Sequence, residues 1–188
     1  MTVYVALLRA VNVGGSGALA MATLRQLCVD AGFLRVETYI ASGNVVFESD
    51  LAAARAKATL EKALQDCGGA PVGVALRTAE EMRRVLADNP FPEAAPNRTV
   101  AIFLDLAPPA SAIATARGVK DEQIVGGARE IYIHYPSGQG RSKLAFPDVG
   151  LGTARNMNTV AKLADMASAR RSPGRAADKA LDGPEGSD

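Results

Sequence analysis

Val3-Tyr4-Val5-Ala6-Leu7-Leu8-Arg9-Ala10-Val11-Asn12-Val13-Gly14-Gly15 is the stretch on which the reading of this chain turns. Its first six residues form an unbroken apolar run of the kind that fills a central strand buried on both faces. A guanidinium, an amide and paired glycines follow directly, so the strand empties into a turn suited to an anion. Farther along, Met21, Leu24, Leu27, Cys28 and Ala31 recur at helical spacing, and Gly32 stands where helices commonly end in the left-handed conformation. Two short strands, over residues 36–40 and 45–48, flank Ala41-Ser42-Gly43-Asn44. Gly43 and Asn44 both tolerate positive φ, and the pair of strands reads as a hairpin. An Ala-rich helix over residues 51–65 ends at Gly68-Gly69, and residues 72–76 form a further strand. The order βαββαβ through residue 77 is the split-βαβ, or ferredoxin-like, arrangement.

Thr78-Ala79-Glu80-Glu81 is a capping box that opens a helix running to about residue 87, and Asn89-Pro90-Phe91-Pro92 stops it. The pattern then begins again, with a strand over residues 100–104, a weakly patterned helix after Pro108-Pro109, and strands over 123–125 and 130–135 around Gly126-Gly127. A Gly- and Ser-rich loop leads to Arg141-Ser142-Lys143-Leu144. Thr153 offers an N-cap for a helix whose apolar face is Met157, Val160, Ala161, Ala164 and Ala167. Residues 170–188 lack periodicity and read as a disordered tail. The expectation is an α+β protein of tandem ferredoxin-like (split βαβ) units. Its first unit covers 1–77, a helix and linker 78–98, and a second unit with a C-terminal helix 99–169.

Composition narrows the function classes. With 188 residues, 48% of them hydrophobic and a net charge of +1, the chain can build a core but carries no global field that would gather nucleic acid or anionic membrane. No apolar run nears the roughly 20 residues that span a bilayer, and the start lacks signal-peptide character, which predicts a cytoplasmic protein without membrane contact. The two cysteines, Cys28 and Cys67, fall in helix-like segments and read as reduced packing residues. With one histidine and no CxxC there is no ligand supply for zinc, and no metal or cofactor is indicated.

Several of these motifs occur together in an uncharacterised bacterial family, domain of unknown function 1697, which the chain resembles. The shared pieces are the opening LLRG-x-NVGG (Leu7 to Gly15), the hairpin TY-x-x-SGN (Thr38 to Asn44), and the NPF of Asn89 to Phe91. They continue with YP-x-G…SKL (Tyr135 to Leu144) and T-x-RN-x-NT (Thr153 to Thr159), so the resemblance spans residues 1–169. Ala10 stands where the family usually has Gly, Ala41 where it often has Gln, and Met157 where it typically has Trp. The lost aromatic at 157 weakens any ring-stacking role there. The resemblance implies the tandem ferredoxin-like architecture and no established activity.

The residues themselves suggest a binding site rather than acid–base machinery. Arg9 and Asn12, just past the end of the first strand, lie where open α/β sheets often bind ligands, and Gly14-Gly15 would let the backbone approach an anion. Ser142, Lys143, Arg155 and Asn156 form a second basic, amide-rich cluster, the last two near an expected helix N-terminus. Asn156 reads first as a cap. Ser42 and Asn44 read first as turn residues, placed by the expected topology at the end of the sheet opposite Arg9. The leading expectation is a small phosphorylated or carboxylated ligand held by Arg9, Asn12, Gly14, Gly15, Lys143 and Arg155. A nucleic-acid-binding accessory protein is the second reading, with Tyr39, Phe47, Tyr132 and Tyr135 on strands as stacking candidates. A third is an enzyme whose substrate supplies most reacting groups, with Ser42, Ser142 or His134 taking part. No catalytic set and no oligomeric state follow from the residues. His134, on an alternating strand, reads as structural.

Overall fold

The computed structural model describes residues 1–9 and 19–170. Its strands are β1 (Thr2–Leu8), β2 (Leu34–Tyr39), β3 (Asn44–Ser49), β4 (Val74–Thr78), β5 (Thr99–Phe103), β6 (Gln123–Gly126), β7 (Glu130–His134) and β8 (Thr153–Asn156). Its α-helices are α1 (Met21–Asp30), α2 (Ala53–Gly68), α3 (Ala79–Ala87) and α4 (Met157–Ser168). The strands make two four-stranded antiparallel sheets, β2-β3-β1-β4 and β6-β7-β5-β8. The protein is therefore of the α+β class. In each sheet the earliest strand is central, flanked by the third and fourth in chain order.

Local chemistry explains the well-formed helix ends. At the close of α1 the Gly32 N–H donates to Val29 and the Phe33 N–H to Cys28, with Gly32 at φ 84°, a Schellman arrangement. The capping box before α3 forms as the sequence requires: the Glu81 N–H donates to the Thr78 hydroxyl at 3.2 Å and the Thr78 N–H to the Glu81 carboxylate at 2.7 Å.

Alternation along β1 divides the interior. Tyr4, Ala6 and Leu8 face a core completed by Leu24, Cys28, Phe33, Leu60 and Leu64 from the α1–α2 side. Val3, Val5 and Leu7 face the other way, into a core with Met82 and Val85 of α3, Ala101, Phe103 and Tyr132 of the second sheet, and Val160 and Leu163 of α4. That second core draws on both halves of the chain and welds them. The far face of the second sheet, with Val100, Ile131 and Ile133, is covered by irregular chain carrying Ala112, Leu144, Phe146 and Val149.

Three expectations need correction here. The segment after Pro108-Pro109 is a turn over residues 110–115, not a helix, because its few apolar side chains follow no helical stripe. Residues 153–156 pair with β5 as strand β8, so the helix begins at Met157 and its cap is Asn156, not Thr153. Cys28 is buried and burial pushes its thiol up to about 12, but Cys67 is exposed rather than part of the core. Of the tail expected over 170–188, residues 171–188 lie outside the described residues; Arg170 is engaged, donating to Glu37 at 2.9 Å while its carbonyl accepts from Arg35.

Gly118 marks a close crossing of the irregular segments. It adopts φ +71°, and a Cβ there would collide with the backbone carbonyl of Lys143. Gly118→Ala therefore combines left-handed strain with overpacking against rigid backbone, and should destabilise the fold by about 2–3 kcal/mol in urea titration. A loss under about 0.5 kcal/mol would show that the crossing is loose.

Candidate functional site

β1 is antiparallel to β3, with Leu7 opposite Asn44, so the β2–β3 turn lies beside the exit of β1. The Leu8 N–H donates to the Gly43 carbonyl at 2.8 Å. This overturns the expectation that Ser42 and Arg9 stand at opposite ends of the sheet. In an antiparallel pair, the start of one strand is adjacent to the end of its neighbour. Within the turn, Gly43 takes φ 75° and Ile40, rather than Asn44, takes the other positive value, φ 48°. Asn44 is in the strand, fully buried, and its amide donates to the Tyr39 carbonyl and the Ser42 hydroxyl, both at 2.9 Å.

Arg155 reaches across to this turn from β8. Its Nε donates to Asn44 Oδ1 at 2.6 Å, and Nη2 to the carbonyls of Ser42 at 2.7 Å and Leu8 at 3.0 Å. Nη1 donates to the Thr153 hydroxyl at 2.7 Å and the Ala154 carbonyl at 2.8 Å, and Thr153 donates in turn to the Leu8 carbonyl. Burial pushes the guanidinium down to about 10, which still leaves it ionised at neutral pH. Among the described residues no carboxylate pairs with it. A ring of carbonyl dipoles and one amide holds the charge, so the donors expected to meet a ligand are already spent on three segments of the protein. Asn156, as its sequence position suggested, caps α4, accepting from the Thr159 N–H at 3.0 Å.

Arg9 turns the other way, toward β4. Its N–H donates to the Gly73 carbonyl at 2.9 Å, and its side chain lies so close over Gly73 that a Cβ there would stand 2.9 Å from Nη1. A side chain at 73 would require Arg9 to shift. Asp105, just after β5, receives Arg9 Nη2 at 2.9 Å and Lys57 Nζ of α2 at 2.8 Å on the same oxygen, Oδ2. Burial raises the Asp105 carboxyl, but Lys57 and Arg9 outweigh it and hold the group below the usual carboxylate range. Arg9 Nη2 is thus ion-paired with Asp105, whereas Nε has no hydrogen-bond partner among the described residues. Glu61 lies 3.7 Å from Lys57 and accepts from the Val74 N–H at 2.9 Å. Lys57 carried no signal in sequence: in an Ala-rich helix, a Lys four residues before a Glu reads as a solvated pair.

The expected second cluster does not join this region. Ser142 donates to Glu122 in a short hydrogen bond, and Glu122 adjoins Gln123, which is registered through His134 to Thr99. That places Ser142, and the exposed Lys143 after it, at the start of β5, whereas Asp105 follows its end. The expectation of one hollow shared by Arg9, Lys143 and Arg155 is corrected accordingly. Asn12, Gly14 and Gly15 lie outside the described residues. His134 makes a tilted ring contact with Phe91 at 5.8 Å. Phe47, Tyr132 and Tyr135 are buried, so they offer no stacking surface, and Tyr132 donates to the Val85 carbonyl. Among the described residues no cluster of His, Cys, Asp or Glu could hold a metal ion, and no helix is long and apolar enough to cross a membrane.

A pair of antiparallel sheets sharing one core, with a buried arginine fastening their seam beside a second, partly open one, defines the class of this α+β protein. The chain belongs to the family described as protein of unknown function (DUF1697), whose model matches residues 1–132. The segments around Ser142 and Arg155 lie beyond that match. The structure is similar to that of conserved bacterial protein SP0830 from Streptococcus pneumoniae, with 27% identity, a TM-score of 0.73, and coverage of 89% of this chain and 99% of that one. Comparison with curated proteins finds no match.

Proposed function

We propose that the protein binds a small phosphorylated or carboxylated ligand at the exit of β1, through Arg9 and Lys57. The observation that carries this reading is Arg9 itself: a side chain only 13% exposed whose Nε has no hydrogen-bond partner among the described residues, beside a second cation that shares the Asp105 oxygen. Leaving buried donors unmade is costly, and such donors at a strand end are suited to a charge-assisted contact. Arg155 and Asn44 have the different role of holding the β1 exit in place. The same strand order in both sheets, β2-β3-β1-β4 and β6-β7-β5-β8, supports reading both halves as split-βαβ units, the second with irregular chain where its helices would be. Two unpaired cysteines accord with a cytoplasmic setting.

A thermal-shift panel of inorganic phosphate, pyrophosphate, nucleotides and small carboxylates tests the reading. A ligand at one hundred times its dissociation constant adds about 2.7 kcal/mol, which corresponds to a rise of roughly 5–10 °C in a chain of this size. Wild type should respond to at least one member and Arg9→Ala should not. No response from wild type, or equal responses from both, removes the proposal.

A further inference from the structure

We propose that Asp105 is an internal competitor at the Arg9–Lys57 site, its carboxylate occupying the position that the ligand's oxyanion takes when it enters. This rests on the reading of Arg9 and Lys57 as the binding pair, and adds to it how the site is kept closed and what class of group opens it. Two cations from separate elements, the end of β1 and the body of α2, converge within 2.9 Å and 2.8 Å on a single oxygen of Asp105. A point where two fixed cations meet one oxygen is complementary to a carboxylate or a phosphate monoester, whichever molecule supplies it.

The cations and the anion are held very differently. Arg9 is anchored through its backbone at Gly73 and wedged over that glycine, and Lys57 sits within α2. Asp105 lies outside regular structure, its side chain is 42% exposed, and it is followed by Leu106 at 78% exposure. The anion is thus the partner free to leave, by a side-chain rotation into water. Leu104, one residue earlier, is fastened by its carbonyl to Arg77 and by its N–H to Arg129, so such a rotation need not disturb the second sheet. An incoming oxyanion replaces one carboxylate by another charged group, and can also meet Arg9 Nε, which Asp105 does not satisfy.

The test is isothermal titration of full-length protein with pyrophosphate at fixed ionic strength. Asp105→Asn should bind about tenfold more tightly than wild type, a change of about 1.4 kcal/mol, and Asp105→Ala should shift in the same direction. Asp66→Asn, at the far end of α2 where Asp66 pairs with Lys62, supplies the same charge change elsewhere and should leave affinity unchanged. Adding Arg9→Gln to Asp105→Asn should abolish the gain. Equal affinity of wild type, Asp105→Asn and Asp105→Ala would overturn the competitor role while leaving the site standing. An equal gain from Asp66→Asn would overturn it by showing a general charge effect. Absence of binding by all variants, Asp105→Asn included, would overturn both the competitor and the site.

Discussion

Arg155→Met should cost about 3–4 kcal/mol of unfolding free energy, which for a chain of this length lowers the melting temperature by roughly 6–16 °C. Methionine fills much of the volume but offers no donor. The Leu8 and Ser42 carbonyls, the Thr153 hydroxyl and Asn44 Oδ1 would all lose a charged partner inside the protein. Arg155→Lys keeps the charge, yet a single ammonium cannot serve acceptors spread around a planar fork, so it should recover only a minor part. Urea unfolding reads both, and a loss below about 1 kcal/mol for Arg155→Met would show that water replaces the guanidinium at little cost.

The second large effect lies at the buried ion pair between the sheets. Arg77 of β4, 1% exposed, donates through Nε and Nη2 to Glu130 of β7 at 2.9 and 2.8 Å, and Nη2 also reaches the Leu104 and Arg129 carbonyls. Its guanidinium lies 5.4 Å from the centroid of the Phe103 ring. Burial lowers its proton affinity, and the Glu130 charge opposes that shift. Arg77→Met strands the Glu130 carboxylate in the interior and should destabilise by about 3–5 kcal/mol. Replacing both, Arg77→Met with Glu130→Leu, should restore a substantial part of the loss, because the desolvation penalty of both charges disappears with them. A double variant less stable than Arg77→Met alone would contradict this. The nearby Arg129–Glu81 pair, more than a third exposed on both sides, should contribute little by comparison.

These two contacts also explain what could be read from the chain and what could not. The first half was legible because each element announces itself locally: an apolar β1, a Schellman glycine after α1, turn chemistry at 41–44, and a capping box before α3. β8 was hidden because its inward positions carry Thr153 and Arg155 while Ala154 is exposed, the inverse of the alternation by which half-buried strands are recognised. Arg77 is likewise a charged residue inside, in a strand buried on both faces. In both places the polar residue is inside because its partner comes from the opposite half of the chain, information no local window holds. The second half also lacks the helix expected after Pro108-Pro109, and Leu144, Phe146 and Val149 cover the sheet from irregular backbone whose apolar residues keep no period. At the site, Arg9 was visible as a strand-terminal cation. Lys57 and Asp105 were not, because only the fold brings α2 and the end of β5 to the same guanidinium.

The division of labour between the two arginines is read directly by the Nε–H resonances of isotope-labelled protein during a pyrophosphate titration. The account predicts that the Arg9 signal moves progressively to saturation while the Arg155 signal, locked on Asn44, stays in place. Movement of Arg155 with Arg9 unaffected would contradict it.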